Sequence, residues 1–299
     1  MSSGAGPESG GDAAYNGERL EDVSMKRGPL SALGTAVVLA LALLPGGAAH
    51  ARPTAPAKAP LLGQYYLALG DSLSMGYQPP IANEAWTHGW VFQFRDLLNT
   101  IHPVELQDLA ISGECSFTLI KGGLDPACST KTVDSPSQLA EAVTFLKTHP
   151  GLVNPVTVDV GGDDLNSNKA VLLGGTPAQQ KQFFNKVFPA MGHNWAVIFQ
   201  TLRAACPSCE IIAVNQYNPF PKGTVKFNAT ALDSEYTHLL SQAATPFKIR
   251  IADVYTPFVG HELTYTWVSV QDIHPTNIGY TVMAEAVAKA SGYPVKMQS

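Results

Sequence analysis

The chain has 299 residues, of which 45% are hydrophobic and only 14% charged. That balance belongs to a folded globular protein and excludes a disordered polyelectrolyte. With 19 Lys and Arg against 24 Asp and Glu the net charge is -5, which argues against a partner recognised by neutralising nucleic-acid phosphates. Beyond residue 50 no apolar run reaches the ~18 residues that suggest a membrane span.

The N-terminal region carries an export pattern. Lys26 and Arg27 follow Met25, Leu30–Leu44 is apolar apart from Ser31, Gly34 and Thr35, and small residues Ala49-His50-Ala51 close the segment. This reads as a secretory signal over 25–51, cleaved after Ala51. The alternative, a membrane anchor, needs a longer run. Residues 1–24 precede the signal and read as a mis-assigned extension, with Met25 as the true start. Residues 52–60 (RPTAPAKAP) form a flexible leader. The remainder, 61–299, has the length of one α/β domain.

From Tyr65 onward, short β-like runs alternate with amphipathic helices. Tyr65–Leu69 is the first strand. Trp90–Ile101 reads as a helix closed by His102-Pro103, and Val104–Ile111 as the second strand. In Ser135-Pro136-Ser137-Gln138, Ser135 is placed as N-cap with Pro at the first helical position. Val156–Val160 is the third strand. Thr176-Pro177-Ala178-Gln179 repeats the cap signal, and Phe184, Val187, Phe188, Met191, Trp195, Ile198 and Leu202 then share one helical face. Glu210–Val214 and Phe247–Val254 are the fourth and fifth strands, and a last helix runs from Asn277 to Ala290. Strands separated by helical segments imply right-handed βαβ units and a parallel sheet covered on both faces. Ligands of such sheets sit at the carboxyl ends of the strands, near the point where strand order reverses.

Chemistry-bearing residues fall at those ends. The first strand runs into Gly70-Asp71-Ser72-Leu73, the second into Ile111-Ser112-Gly113 and the third into Gly161-Gly162-Asp163-Asp164. Gln271-Asp272-Ile273-His274-Pro275 stands before the last helix. A serine hydroxyl becomes a nucleophile when a neutral imidazole takes its proton. Ser72 and His274 are the candidates, the plain alternative for Ser72 being a turn serine. His50 leaves with the signal, and the remaining histidines read as loop or surface residues.

With GDSL at Gly70–Leu73, Gly113, a GxND-like block at Gly161–Asp164 and His274-Pro275 in order, the chain resembles the GDSL, or SGNH, hydrolase family. The resemblance implies a flavodoxin-like three-layer αβα sandwich with a five-stranded parallel sheet. It also implies esterase or lipase activity, an ester substrate such as a small acyl ester, lipid or acetylated glycan, and no metal or organic cofactor. The Ser72 and Gly113 N–H groups match two oxyanion donors. The third donor of the family is Asn, where this chain has Asp163. The family carboxylate lies three residues before the His, at Gln271 here, so Asp272 or a backbone carbonyl is left to orient His274. Asp164 reads as a structural cap or turn residue.

In an exported protein the four cysteines are expected to pair, Cys115 with Cys128 and Cys206 with Cys209. A zinc site would need two further ligands, and no His or Cys flanks the CxxC. A redox CxxC would follow a strand and open a helix, whereas this one follows a helix. The leading expectation is a secreted, monomeric serine ester hydrolase. The rivals are a catalytically weak SGNH-fold domain binding cell-wall or glycan ligands, and a CxxC oxidoreductase. Trp86, Trp90 and Trp267 fit either pocket or core, and Asn228-Ala229-Thr230 is a glycosylation sequon.

Overall fold

A computed structural model describes residues 59–82, 85–123, 128, 136–223 and 229–296. The expected signal, upstream extension and most of the leader lie outside the described residues, as do Ser135 and the Asn228 of the sequon. Five strands form one parallel sheet: β1 (Tyr65–Gly70), β2 (Glu105–Asp108), β3 (Val153–Asp159), β4 (Ile211–Val214) and β5 (Arg250–Ala252), in the order β2-β1-β3-β4-β5.

Alternation along the strands explains the two-sided burial. Leu67, Leu69, Val156, Val158, Ile211 and Ala213 face one helical layer, and Tyr66, Ala68, Ile212, Val214 and Ala252 face the other. The second layer contains α2 (Trp90–Asn99) and the C-terminal helix, which pack on each other through Trp90, Phe94, Tyr280, Met283 and Val287. On the opposite face lie Gln138–Thr148, the long helix Pro177–Ala205 and Ala229–Ala244. Each fully buried Leu, Ile, Val or Phe contributes about 1.5–3 kcal/mol of transfer free energy. The core therefore consists of two apolar slabs, one on each side of the sheet.

The helices, in chain order, are α1 (Ser72–Met75), α2, α3 (Ser116–Lys121), α4 (Gln138–Thr148), α5 (Gly162–Asn166), α6 (Lys169–Gly174), α7 (Pro177–Ala205), α8 (Ala229–Ala244), α9 (Tyr255–Phe258), α10 (Glu262–Tyr265) and α11 (Asn277–Ser291). The Thr176 cap forms as the sequence indicates: its hydroxyl accepts from the Gln179 N–H at 3.3 Å, and Gln179 Oε1 accepts from the Thr176 N–H at 2.8 Å.

Five expectations shift, the first being β2, which ends at Asp108 rather than Ile111. The cap of α4 is Ser137, whose Oγ accepts from the Ala140 N–H at 3.3 Å, so the helix starts beyond Pro136. β3 begins at Val153 and runs through Pro155. β5 is confined to Arg250–Ala252 because Thr245–Phe247 turns as a 3₁₀ helix before it. α8 was not anticipated, although Leu232, Tyr236, Leu239, Leu240 and Ala243 pack into the core at helical spacing.

β1 continues to β2 on one side and lies against β3 on the other. The carboxyl ends of β1 and β3 thus meet at the strand-order reversal, the place where open α/β sheets leave a crevice.

Candidate active site

The turn after β1 is built for close approach. A Cβ at Gly70 would collide with Ser74 Oγ and come within 2.5 Å of the Asp159 carbonyl, so only glycine lets β1 run tightly against β3 into the turn. Asp71 then caps α1, its Oδ1 accepting from the Leu73 N–H at 2.9 Å. Ser72 is the first residue of this single turn and is 8% exposed.

A second segment brings the imidazole across. Val268–Val270 forms a 3₁₀ turn, and Gln271 follows with φ of 64°. The Trp267 N–H donates to the His274 carbonyl at 2.9 Å, and Tyr217 Oη donates to the Ile273 carbonyl at 2.8 Å. These bonds fix the loop on both sides of the imidazole. His274 Nε2 lies 2.8 Å from Ser72 Oγ, and His274 Nδ1 lies 2.7 Å from Asp272 Oδ1. The His274 backbone N–H also donates to Asp272 Oδ1, at 2.9 Å. The Tyr77 ring rests 4.4 Å from the imidazole, centroid to centroid. Burial raises the Asp272 carboxyl, but the hydrogen bonds from the His274 ring and backbone outweigh it and hold the group below the usual carboxylate range. Gln271 is exposed, and Asp272 makes the contacts to the ring.

Gly113 has φ of 85°, a conformation that favours glycine, in the turn after β2. Neither its N–H nor that of Ser72 donates to a described residue. Both residues line a cavity of about 500 Å³, together with Asp163, Tyr217 and His274. Asp164 points elsewhere: its Oδ2 accepts from the Ser116 N–H at 2.8 Å and its Oδ1 from the Ser116 hydroxyl at 2.6 Å, which ties α5 to the start of α3. Asp163 remains the acidic member of its block that faces the cavity.

Sequence reasoning missed the supports beneath this surface. Gln138 hydrogen-bonds both to Gly70 and to Glu114, and Asp159 accepts from Trp90 Nε1 at 3.2 Å. Polar residues at a helix start and at the end of an apolar strand were the available signals. Trp90 is wholly buried, Trp267 Nε1 donates to Gln78 Oε1 at 2.8 Å, and Trp86 is 43% exposed.

Cys115 is bonded to Cys128, and Cys206 to Cys209. The second pair sits before β4, at the amino end of the sheet, and Arg203 Nη1 donates to the Cys206, Pro207 and Cys209 carbonyls there. It is therefore remote from the crevice. Among the described residues no His, Cys, Asp and Glu cluster has metal-binding geometry.

Residues 68–282 match the GDSL-like Lipase/Acylhydrolase family. The chain belongs to this family. Its fold is similar to that of the lipase Lip_vut3 from a goat rumen metagenome (TM-score 0.56, 20% identity, covering 78% of this chain and 99% of that one). It is also similar to Axe2, an acetylxylan esterase from Geobacillus stearothermophilus (TM-score 0.54, 13% identity, covering 79% and 98%). A curated relative, the spore germination lipase LipC of Bacillus licheniformis, is 34% identical over 80 residues, which is 27% of this chain and 35% of that protein. The matched stretch thus spans about a third of the curated relative's length.

Proposed function

We propose that the protein is an exported serine ester hydrolase that cleaves carboxylic esters through an acyl-enzyme on Ser72. The observation that carries this reading is the continuous relay from Ser72 Oγ to His274 Nε2 (2.8 Å) and from Nδ1 to Asp272 Oδ1 (2.7 Å). With Nδ1–H donated to Asp272, the Nε2 lone pair is left for the serine proton. Ser72 Oγ attacks the ester carbon while Nε2 takes its proton. The carbonyl oxygen becomes an oxyanion and is met by the Ser72 and Gly113 N–H groups. The intermediate collapses, the alkoxide leaves with the proton returned by His274, and the acyl group stays on Ser72. Water, deprotonated by the same imidazole, then releases the acid. Asp272 stays ionised throughout, which its lowered pKa favours.

Export is supported by the signal pattern over 25–51 and by the pairing of all four cysteines. Among the described residues no helix is long and apolar enough to cross a membrane.

The deciding experiment is labelling with a fluorophosphonate, followed by peptide mapping and p-nitrophenyl butyrate hydrolysis. A single adduct on the Ser72 peptide, lost with activity in Ser72→Ala, is expected. Full activity in Ser72→Ala overturns the assignment, and absence of hydrolysis and labelling in the parent favours a binding-only domain.

A further inference from the structure

Asp233 lies on α8, is 5% exposed, and lines the same cavity as Ser72 and His274. Its Oδ2 is buried and has no hydrogen-bond partner among the described residues. A buried oxygen left unpaired carries a desolvation cost that nothing repays, and such groups in native proteins call for an explanation. The relay and the two N–H groups opposite the ester carbon do not involve this residue. It shares the cavity wall with Leu165, Leu172, Phe220 and Leu232, apolar surface suited to the hydrocarbon part of an ester.

The charge of the lining narrows the ligand. Among the described lining residues there is no Lys or Arg, while Asp71, Asp163 and Asp233 are all acidic. Phosphate or carboxylate groups on a substrate would meet these carboxyls and no Lys or Arg among the described lining residues. A hydroxyl fits, since it carries no charge to be repelled and offers both a donor and an acceptor.

Resting on the proposed esterase reading, we infer that Asp233 determines specificity: its carboxyl group hydrogen-bonds an aliphatic hydroxyl carried by the ester, so that the cavity selects hydroxylated esters over plain ones. Burial pushes this carboxyl up to about 7. Near neutrality it therefore exists in both protonation states, and either one pairs with a hydroxyl. A site built around a substrate hydroxyl discriminates well, because the analogue lacking it leaves the buried group unpaired.

The hydroxyl can belong to a polyol alcohol or to the acyl chain, and two substrate pairs separate these sources. kcat/KM is measured for glyceryl monobutyrate against propyl butyrate, and for ethyl 3-hydroxybutyrate against ethyl butyrate, in the parent, Asp233→Leu and Asp233→Asn. A preference for the hydroxylated ester in one pair is expected in the parent. Asp233→Leu should reduce that ratio by about 10- to 100-fold. Asp233→Asn, nearly isosteric and able to donate and accept, should keep most of it and guards against misfolding of the Leu variant. Ratios that are the same in the parent and Asp233→Leu for both pairs overturn the inference while leaving the esterase reading intact. If the parent cleaves no ester, the esterase reading itself fails. Calorimetry then decides the inference in the Ser72→Ala protein: 1-O-butylglycerol should bind more tightly than dibutyl ether, and equal binding with and without Asp233→Leu refutes the assignment.

Discussion

Gln138 holds both polar groups of Gly70. The Gly70 N–H donates to Gln138 Oε1 at 3.0 Å, and Gln138 Nε2 donates to the Gly70 carbonyl at 2.8 Å. The same Nε2 donates to Glu114 Oε2 at 2.8 Å. Gly70 stands two residues before Ser72, and Glu114 follows Gly113. One fully buried amide, the first residue of α4, thus joins the turn that carries Ser72 to the turn that carries Gly113.

Gln138 is accordingly a positioning residue. Gln138→Leu strands the Gly70 N–H, at a cost of about 1–3 kcal/mol, while the Gly70 carbonyl keeps the Ile111 N–H at 3.1 Å. Urea unfolding should register a loss of about 2 kcal/mol or more. Turnover should fall by roughly tenfold with KM changed less, because transition-state alignment suffers more than binding. A variant that is only less stable, with native kcat at low temperature, would assign Gln138 to the fold alone.

Asp272 is tested by Asp272→Asn. The amide can pair with either imidazole tautomer and cannot stabilise the imidazolium by charge. A comparable change in a serine protease lowers kcat by about 10⁴, and a loss of at least ~10² is expected here. The backbone contact from His274 to the side-chain oxygen can persist, so thermal melts should change little. Parent-like kcat would transfer the orienting role to a backbone carbonyl.

The Cys115–Cys128 bond begins two residues after Gly113. A cross-link closing a loop of this length contributes about 3 kcal/mol in the chain-entropy model. The double variant Cys115→Ser, Cys128→Ser should unfold at lower denaturant and lose turnover, since α3 starts at Ser116 and is tied to Asp164. The corresponding Cys206→Ser, Cys209→Ser variant should lose less activity, because its bond lies at the opposite end of the sheet. Equal activity losses in the two double variants would break the link between the first bond and the Gly113 turn.

Much of the architecture was legible because apolar runs and cap residues state it locally. Tyr65–Leu69 and the Thr176 cap needed no tertiary information. The strand ends then placed Ser72, Gly113 and Asp163 at one crevice, since topology determines where such turns converge. The ends of β5 and the start of α4 were less legible. Lys248, with φ of 54°, separates the 3₁₀ turn from β5, and Ser137 rather than the serine before Pro136 takes the cap. Long-range polar contacts were the least legible. Gln138 and Gly70 are 68 residues apart, and Trp90 and Asp159 are 69 apart. Nothing in the local pattern of either partner announces the other. Asp272 was readable as a candidate from its spacing, but its precedence over a backbone carbonyl required the 2.7 Å contact.

Asp159 should make stability pH-dependent. It is 2% exposed, and burial raises its carboxyl to about 7, against the opposing Trp90 hydrogen bond and with help from the Asp163 charge. The folded state therefore keeps a proton that the unfolded chain, with a carboxylate near ~3.9, releases. This stabilising contribution is complete below about pH 4 and is lost as pH rises through about 7. Asp71 is raised in the same direction by burial and then by Asp159 and Asp163. Melting temperature should fall between about pH 5 and pH 8. Asp159→Asn keeps an acceptor for Trp90 and removes the ionisation, so it should raise Tm at the higher pH much more than at the lower. An equal shift at both would contradict this account.

Asp163 should limit catalysis. It faces the cavity with Ser72 and Gly113, in the block where the GDSL-like resemblance places an amide donor. An ionised carboxylate there opposes the developing oxyanion instead of donating to it. A protonated one can donate, but that state is favoured by acid, whereas His274 must be neutral to act as base. An amide escapes this conflict. Asp163→Asn should therefore match or exceed the parent, by up to roughly 10²-fold, the scale of one oxyanion donor. Removing this charge also relieves Asp71 and Asp159, both of which it raises, so the variant should not melt below the parent. The gain should grow toward alkaline pH, where a carboxyl that must hold a proton to donate is increasingly ionised. The measurement is kcat against pH for the parent, Asp163→Asn and Asp163→Ala. An Asn variant that melts like the parent yet loses most activity at every pH would give the carboxylate itself a positive role, such as contacting the substrate, and would refute the view of Asp163 as a displaced donor.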